Sequence, residues 1–265
     1  MLTFGEKICF EILLSLPFIF CMENDPGSMK EERKVMVESM FDSIAWRYDF
    51  LNHFLSFGID RIWRRKAIHI ISRHYQNPEI LDVATGTGDL AITAMRINPI
   101  RVTGIDISQN MLEIGRSKIC KKGFSGKIDL IQGDSEDIPF GDDLFDVSMV
   151  AFGVRNFSDP LKGLMEMSRV TRNGGMILVL EFSKPSGLLF RAVYNFYFTK
   201  ILPFVGKLFS KDKSAYSYLP DSVYKFADNE KFLQLLINAG FSDTRQVKLT
   251  GGVASIYTGF KKSIQ

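Results

Sequence analysis

The segment LDVATGTGDLAITA, residues 81–94, constrains the fold more than any other part of this chain. A short apolar run enters a turn that contains Gly86 and Gly88, and helix-forming residues follow the turn. This order predicts a buried β-strand, a glycine turn and the start of an α-helix, an arrangement that binds an anionic or nucleotide-like ligand. The letters also satisfy G-x-G-x-x-A through Ala91, so the turn by itself leaves nicotinamide dinucleotides and S-adenosylmethionine both open.

Length and composition indicate one folded domain of ordinary type. The chain has 265 residues, of which 46% are hydrophobic and 24% charged, and no Pro/Gly/Ser linker or repeat interrupts residues 30–262. We predict a single domain over 29–265, with a helical lid over 30–75 and an aromatic insert over 185–220. The net charge of +3 is too weak to indicate nucleic-acid binding. Three widely spaced cysteines match neither a disulfide framework nor a zinc site, so we expect a cytoplasmic protein without a metal centre.

Residues 1–28 differ from the rest of the chain. Their apolar run, KICFEILLSLPFIFCM, contains an acid and a proline and is shorter than the ~18–20 residues that a membrane-spanning helix needs. It also lacks the small-residue cleavage site of a signal peptide. We interpret the segment as a leader outside the fold, with translation starting at Met22 or Met29, and a membrane anchor stays the alternative.

The chain after Pro78 alternates β-rich runs with helical ones. We predict strands near 79–84, 101–106, 128–132, 145–151, 176–182, 243–249 and 254–260. Helices are predicted near 31–45, 58–75, 88–96, 108–121, 159–171 and 228–239. Apolar strands that alternate with helices indicate an α/β fold with a doubly wound, mostly parallel seven-stranded sheet. The last two strands are expected to form an antiparallel hairpin through Gly251 and Gly252.

The two N-terminal helices carry apolar residues at helical spacing. On the first, the residues expected to share the apolar face are Val35, Met36, Met40, Phe41 and Ile44. On the second, four basic residues fall largely away from the apolar face: Arg61, Arg64, Arg65 and Lys66. We interpret these charges as a solvated helix face, and contact with anionic lipid headgroups stays the alternative.

Polar residues follow the ends of the predicted parallel strands, where such sheets bind their ligands. The candidate cofactor-binding residues at these ends are Asp82, Gly86, Thr87, Gly88, Asp106, Asp134 and Ser135. We expect them to converge on one crevice, together with residues 152–156 after the fourth strand.

Negative charge around the turn bears on the choice of ligand. Asp82 and Asp89 flank the glycines, which disfavours a pyrophosphate and suits the ammonium and sulfonium groups of S-adenosylmethionine. Asp106 lies at a distance along the chain that suits a carboxylate accepting both ribose hydroxyls, and this spacing fits NAD equally well. The acidic loop GDSEDIPF, residues 133–140, lies where an adenine amino group would be recognised, although a capped loop without a ligand is the alternative. These features favour S-adenosylmethionine.

Four stretches carry a family resemblance. They are MFDSIAWRYDFLNHFLSFGIDRIWRR (40–65), DVATGTGDLA (82–91), FDVSMVAFGVRNFSDP (145–160) and RVTRNGGMILVLEFSKP (169–185). Over about residues 36–262 the chain resembles the ubiquinone/menaquinone biosynthesis C-methyltransferases, which are class I methyltransferases, and among them the demethylmenaquinone enzymes. It departs from their pattern at Asp60, where histidine is common, and this argues against a required histidine there.

The resemblance implies S-adenosylmethionine-dependent methylation of a ring carbon on a prenylated quinol. Demethylmenaquinol is the expected substrate, and a ubiquinone-pathway benzoquinol is the alternative. The resemblance also implies cofactor contacts at Thr87, at Asp106 for the ribose, and at Asp134 with Ser135 beside the adenine.

Chemistry singles out Arg155 as the candidate catalytic residue. A ring carbon becomes nucleophilic when the neighbouring hydroxyl loses its proton, so the enzyme must stabilise an oxyanion. Arginine stays protonated, and Arg155 follows the fourth strand at the expected crevice. An ion pair with a neighbouring helix is the alternative role. Tyr48, Asp49 and Asn52 on the lid are expected to position the ring.

The insert GLLFRAVYNFYFTKILPFVGKLF, residues 187–209, is rich in aromatic residues but is interrupted by charges and a proline. We expect it to cover the crevice, receive a prenyl tail and touch the membrane peripherally, while helical core or a homodimer contact stays open.

Two other classes of protein remain: a nicotinamide-dependent oxidoreductase and a non-catalytic scaffold. The intact glycine turn argues against the scaffold.

Overall fold

A computed structural model describes residues 26–55, 58–185, 222–223 and 226–262, without the side chains of 26–29, 44 and 46–55. The leader up to residue 25, the insert beyond residue 185 and the side chains of Tyr48, Asp49 and Asn52 lie outside the described residues. No helix within the described ranges is long and apolar enough to cross a bilayer.

The described elements follow the predicted order. The helices are α1 (Pro26–Leu55), α2 (Ile59–Ser72), α3 (Asp89–Ala94), α4 (Gln109–Lys121), α5 (Pro160–Val170) and α6 (Glu230–Asn238). The strands are β1 (Glu79–Val83), β2 (Arg101–Asp106), β3 (Ile128–Gln132), β4 (Phe145–Ala151), β5 (Thr171–Phe182), β6 (Phe241–Leu249) and β7 (Ala254–Lys261). Short 3₁₀ turns are formed by Met95–Ile97, Val154–Asn156 and Thr250–Gly252.

The seven strands form one sheet in the order β3-β2-β1-β4-β5-β7-β6. The pairs among β1 to β5 are parallel, and β7 pairs antiparallel with both β5 and β6. The predicted α/β sheet with its C-terminal antiparallel hairpin is therefore confirmed. The strand order reverses between β1 and β4, which places the topological switch point directly beyond Val83 and Val150.

Helices cover both faces of the sheet because its central strands are apolar on both sides. On one face α2, α3 and α4 contribute Ala67, Leu90 and Leu112 to a core cluster with the sheet. On the other face α5 and α6 contribute Leu164 and Phe232. This two-sided burial fixes the sheet, so the loops at its carboxyl edge are held by a rigid support.

The lid helix α1 buries a different face from the one expected. Val37 and Ala45 are buried, whereas Val35 and Met36 are 58% and 51% exposed. The prediction for Val35 and Met36 was wrong because the helix packs inward with the side that carries Val37 and Ala45. Its orientation is set by ion pairs as well as by apolar contacts.

The basic face of α2 also differs in one residue. Arg64 is buried and forms an ion pair with Asp60 one turn earlier, while Arg61, Arg65 and Lys66 are exposed. The interpretation of Arg64 as solvated was therefore wrong. A buried guanidinium is tolerated here because a buried carboxylate lies beside it.

Strand β5 begins at Thr171, five residues before the predicted start. Thr171 pairs with Phe145, and the register then shifts before Val147 pairs with Met176. Gly174 takes a left-handed φ of 74° inside this irregularity. The sequence signal of a turn is correct, but the turn is a bulge within the strand.

Gly175 fills a place in this bulge that no larger residue can take. A Cβ at this position would lie 2.8 Å from the Arg172 carbonyl oxygen and 2.9 Å from that of Asp146. We expect Gly175→Ala to lower the free energy of unfolding by ~1–3 kcal/mol, as overpacking against backbone does. Chemical denaturation measures it. Gly126→Ala is the matched control, because nothing lies within 4 Å of its added Cβ. Equal stabilities of the two variants would contradict the prediction.

Candidate functional site

The glycine turn between β1 and α3 is organised by the buried carboxylate of Asp82. Its Oδ2 accepts hydrogen bonds from Thr85 Oγ1 at 2.6 Å and from the Ala91 backbone N–H at 3.1 Å. The chain reverses between these contacts through Gly86 and Gly88, whose φ angles are 55° and 77°. Such angles favour glycine, which explains the residue type at both positions.

Burial raises the pKa of Asp82 to about 7, against the hydrogen bonds from Thr85 and Ala91 and the nearby charge of Arg64, which lower it. The other carboxylate oxygen, Oδ1, is buried and accepts no hydrogen bond from the described residues. An acceptor of this kind beside a turn fits a site in which a ligand or a water supplies the missing donor.

Asp106 ends β2 and faces the same turn. Its Oδ2 accepts the Gly86 N–H at 2.8 Å, and its Oδ1 accepts the Ser108 N–H at 2.9 Å. Desolvation raises the pKa of Asp106 to about 6 against these hydrogen bonds, and the charge of Asp42 on α1 raises it further. Asp42 also accepts a hydrogen bond from Ser108 Oγ, so the lid helix is tied to this corner of the site.

One crevice opens at the carboxyl ends of β1 to β4, beneath α1. Four of the predicted cofactor-binding residues line it: Gly86, Asp106, Asp134 and Ser135. Phe152 and Asn156 after β4 line it as well, as does Lys34 from the lid. The structure thus brings the polar ends of four strands together, as the strand-end argument predicts. The roles of these residues in binding stay predictions.

The remaining predicted residues, Asp82, Thr87 and Gly88, lie behind the turn. The Thr87 hydroxyl accepts a hydrogen bond from Lys118 Nζ at 3.0 Å, and Thr87 is buried. Gly88 caps α3. These three residues are absent from the described lining of the crevice, and their role in cofactor binding stays a prediction.

Asp89, whose negative charge was expected to disfavour a pyrophosphate, is paired with cations in the structure. Its carboxylate lies 2.6 Å from Lys118 Nζ and 3.7 Å from an Arg64 nitrogen. These two cations meet its negative charge, so Asp89 does not offer an unpaired carboxylate to a ligand. The acidic residues that line the crevice are Asp106, Asp134 and Glu136, and the last two are paired with Lys34.

Lys34 is a site residue that the sequence did not reveal. Its Nζ lies 2.6 Å from Asp134 Oδ2 and 3.4 Å from Glu136 Oε2. Glu136 is buried and accepts the backbone N–H groups of Ser158 and Asp159 at 2.7 and 3.0 Å. Glu136 therefore joins the loops after β3 and β4, and Lys34 closes the lid helix over them. Because these partners lie 100 residues apart, no local pattern signals the contact.

Arg155 lies in the 3₁₀ turn after β4 and is buried. Its Nη1 forms an ion pair with Glu181 Oε1 at 2.9 Å and also donates to the Phe152 carbonyl oxygen. The partner belongs to a strand rather than to a helix, and Glu181 was missed by the sequence reasoning. A charged residue inside the apolar run MILVLEF is the signal that could have identified it. The catalytic role of Arg155 stays a prediction.

Aromatic side chains connect Arg155 with the crevice. The rings of Phe152 and Phe182 lie 4.6 Å apart between centroids, and Trp63 lies 6.2 and 6.3 Å from them. The Arg155 guanidinium carbon lies 5.5 Å from the Phe182 ring centroid. We call Trp63, Phe152 and Phe182 the aromatic wall. A wall of this kind beside a cationic group suits a flat, electron-rich ligand.

Among the described residues, no cluster of three or more His, Cys, Asp or Glu side chains could hold a metal ion. His69 and His74 are exposed, and the side chain of His53 lies outside the described part. The site offers carboxylates, backbone groups, Lys34 and two buried arginines, Arg64 and Arg155, for chemistry.

Comparisons with known proteins agree with this geometry. The ubiE/COQ5 methyltransferase family model matches residues 27–261. A ubiquinone/menaquinone biosynthesis C-methyltransferase of Geotalea daltonii is 49% identical over 232 residues, which cover 87% of this chain and 98% of that protein. A demethylmenaquinone methyltransferase of Bacteroides fragilis is 44% identical over 237 residues, covering 89% and 96%.

A solved structure of a S-adenosylmethionine-dependent methyltransferase from Thermotoga maritima shares the fold. It aligns with a TM-score of 0.59 at 18% identity, over 85% of this chain and all of that one. The family model matches nearly the whole described chain, and relatives at 44–49% identity align over nearly their whole length, so this protein belongs to the ubiE/COQ5 methyltransferase family.

Proposed function

We propose that this protein transfers a methyl group from S-adenosylmethionine to a ring carbon of a prenylated quinol in respiratory quinone biosynthesis, with demethylmenaquinol as the substrate. The crevice at the switch point, which continues into the aromatic wall through Phe152, is the observation that carries the proposal. The names of the Geotalea and Bacteroides relatives support it.

The crevice residues fit S-adenosylmethionine. Asp106 offers a carboxylate to two ribose hydroxyls, and Asp134 with Ser135 lies at the third strand, where an adenine would be recognised. Gly86 allows the backbone to approach the ligand closely. When bound, this cofactor supplies an electrophilic methyl group.

The aromatic wall is the proposed place for the quinol ring. Phe152 lines the crevice and also contacts Phe182 and Trp63, so a ring stacked there lies beside a cofactor in the crevice. Holding carbon and methyl in near-attack geometry supplies several kcal/mol of the barrier reduction, by general estimates about 7–11 kcal/mol for well-oriented partners. Excluding water from this apolar surface strengthens the electrostatic contacts to the ring oxygen.

Arg155 is the group proposed to stabilise the ring oxyanion. A phenolic hydroxyl ionises near pH ~10, and each unit by which its pKa is lowered corresponds to ~1.4 kcal/mol. The Arg155 guanidinium carbon lies over the ring of Phe182, which is part of the aromatic wall. Arg155 also serves to hold a water that accepts the proton.

The substrate assignment is tested by label transfer. Purified protein is given methyl-labelled S-adenosylmethionine with reduced demethylmenaquinol or with the demethylated benzoquinol of the ubiquinone pathway. We expect label in the naphthoquinol at a rate at least tenfold above that with the benzoquinol. Label in the benzoquinol alone would contradict the ring assignment. Binding of a nicotinamide dinucleotide in place of S-adenosylmethionine would contradict the enzyme class.

Arg155→Ala is expected to lower kcat on the reduced quinol at least tenfold, because the oxyanion loses its cation. Cofactor affinity, measured by calorimetry, is expected to stay within twofold, since Arg155 is absent from the described residues that line the crevice. Glu166→Gln provides a control, since it weakens an ion pair with Arg169 on α5. Unchanged turnover in Arg155→Ala would remove this residue from the mechanism.

A cytoplasmic enzyme whose substrate carries a prenyl chain must meet it at a membrane, and we propose peripheral contact through α2. The exposed face of this helix and its C-cap carries Arg61, Arg65, Lys66 and Arg73 with the 60%-exposed Ile62. Within the described part of the chain none of these cations has an ion-pair partner. Their combined charge exceeds the net +3 of the whole protein. An amphipathic, cationic face of this kind matches anionic headgroups.

Vesicle flotation tests the α2 face. We expect the protein to float with phosphatidylglycerol-containing vesicles but not with pure phosphatidylcholine, because each basic residue contributes ~1 kcal/mol near an anionic surface. Replacing Arg61, Arg65, Lys66 and Arg73 by Gln should reduce the bound fraction at least fivefold. The matched control replaces four exposed lysines elsewhere by Gln: Lys121, Lys122, Lys231 and Lys248. Equal losses in both variants would show that net charge, and not this face, determines binding.

A further inference from the structure

Glu181 is a fully buried carboxylate near the end of β5, next to the aromatic wall. Its relative exposure is 0%. Oε1 accepts Arg155 Nη1 and the Phe182 backbone N–H, both at 2.9 Å, and Oε2 accepts the Arg155 backbone N–H at 3.4 Å. Glu181 thus contacts Arg155 at two points, the backbone and the guanidinium.

A buried ion pair of this kind is costly to form. The desolvation of two charges offsets much of their attraction, so a pair of well-packed apolar residues would often be as stable. Stability alone therefore does not account for a charged pair at this place. The geometry of the arginine gives a more specific reason.

The guanidinium of Arg155 is only partly satisfied. Nη1 donates to Glu181 and to the Phe152 carbonyl oxygen, whereas Nε is buried and has no acceptor among the described residues. The guanidinium carbon lies over the Phe182 ring, 5.5 Å from the ring centroid. Protein contacts hold the guanidinium through Nη1 and leave the Nε donor without an acceptor. A buried donor without an acceptor lowers stability by its desolvation cost, unless a ligand supplies the acceptor.

We propose that Glu181 is a positioning residue for methyl transfer, which holds Arg155 so that its unmatched Nε–H donor meets the ring oxygen of the ionised quinol. The inference rests on the role of Arg155 in the proposed function. Glu181 also offsets the arginine charge while the site is empty of an oxyanion. In Glu181→Gln the amide still fills the space, but the negative charge that holds the guanidinium is lost.

The test is a double-mutant cycle on kcat with Arg155→Ala, Glu181→Gln and the combined variant. We expect Glu181→Gln to lower kcat at least tenfold, with cofactor affinity within twofold of the wild type. In the Arg155→Ala background the same change should alter kcat by less than twofold, because Glu181 then has no guanidinium to hold. A residue that only supports the fold would lower kcat in both backgrounds.

The pH profile of kcat separates positioning from general damage. If the guanidinium no longer meets the oxyanion, the quinol ionises at higher pH, so the midpoint of the profile should move up in Glu181→Gln. It should move no further in the double variant than in Arg155→Ala alone. A uniform loss at every pH, or unchanged turnover, overturns the proposal.

Glu181→Asp and Arg155→Ala distinguish failure of the positioning role of Glu181 from failure of the catalytic role of Arg155. Glu181→Asp retains the charge at a shorter reach, so we expect it to lie between the wild type and Glu181→Gln in kcat and in midpoint. It also serves as the second variant if Glu181→Gln does not fold, as judged by circular dichroism, and an Asp variant equal to the wild type would then overturn the inference. Full activity of Arg155→Ala would refute the catalytic role of Arg155 itself. A weak Arg155→Ala with a normal Glu181→Gln would refute only the positioning role.

Discussion

The buried carboxylate of Asp82 is the constraint on which the site depends. It lies at the end of β1 and binds both Thr85 in the turn and Ala91 in α3, so one side chain joins strand, turn and helix. The same turn presents the Gly86 N–H to Asp106 on the neighbouring strand β2. Removing the Asp82 acceptor would leave the hydroxyl and the amide buried without partners, which costs more than the hydrogen bonds themselves contribute. The position of Asp106 in the crevice follows from this arrangement.

The described side chains of helix α1 make several charged contacts to the loops around the crevice. Lys34 contacts Asp134 and Glu136, Lys30 contacts Asp159, and Arg33 donates to the Arg155 carbonyl oxygen at 3.2 Å. The Lys30–Asp159 pair is partly exposed, and a pair of this type contributes little to stability. The predicted lid function of α1 requires contacts that break at low cost, and the Lys30–Asp159 pair is of this kind. Val37 and Phe41 of the same helix line the crevice.

The sequence predicts those parts of the structure that depend on local pattern. The strands at 101–106, 128–132 and 145–151 agree with the structure residue by residue, because each is a short apolar run bounded by polar or turn-forming residues. The positions of Asp106 and Asp134 at strand ends likewise predict that they line one crevice. The sequence does not predict contacts between side chains that lie far apart along the chain. Local composition gives no indication that Asp134 binds a lysine of the lid, since the pair is set only when helix α1 docks.

Buried charged residues on α2 are a second feature that the sequence pattern does not predict. On α2 the spacing of Arg64 indicates a solvated position, yet Asp60 one turn earlier provides a buried counter-charge and the guanidinium turns inward. Its guanidinium carbon lies 5.9 Å from the Phe152 ring centroid. Helical periodicity assigns residues to a buried or solvated face by polarity alone. It does not take into account that a charged side chain can be buried when an opposite charge pairs with it.

Phe152 joins the two halves of the site. Its φ of 60° is unusual for a bulky residue, and such strain persists only where surrounding contacts impose it. Its N–H donates to the Leu180 carbonyl oxygen at 2.7 Å, and its own carbonyl accepts from Arg155. The same residue therefore lines the crevice with its side chain, fixes the arginine with its backbone and ties both to β5. Because one backbone conformation sets all three, the distance between the crevice and the arginine is determined by the sheet and not by flexible side chains.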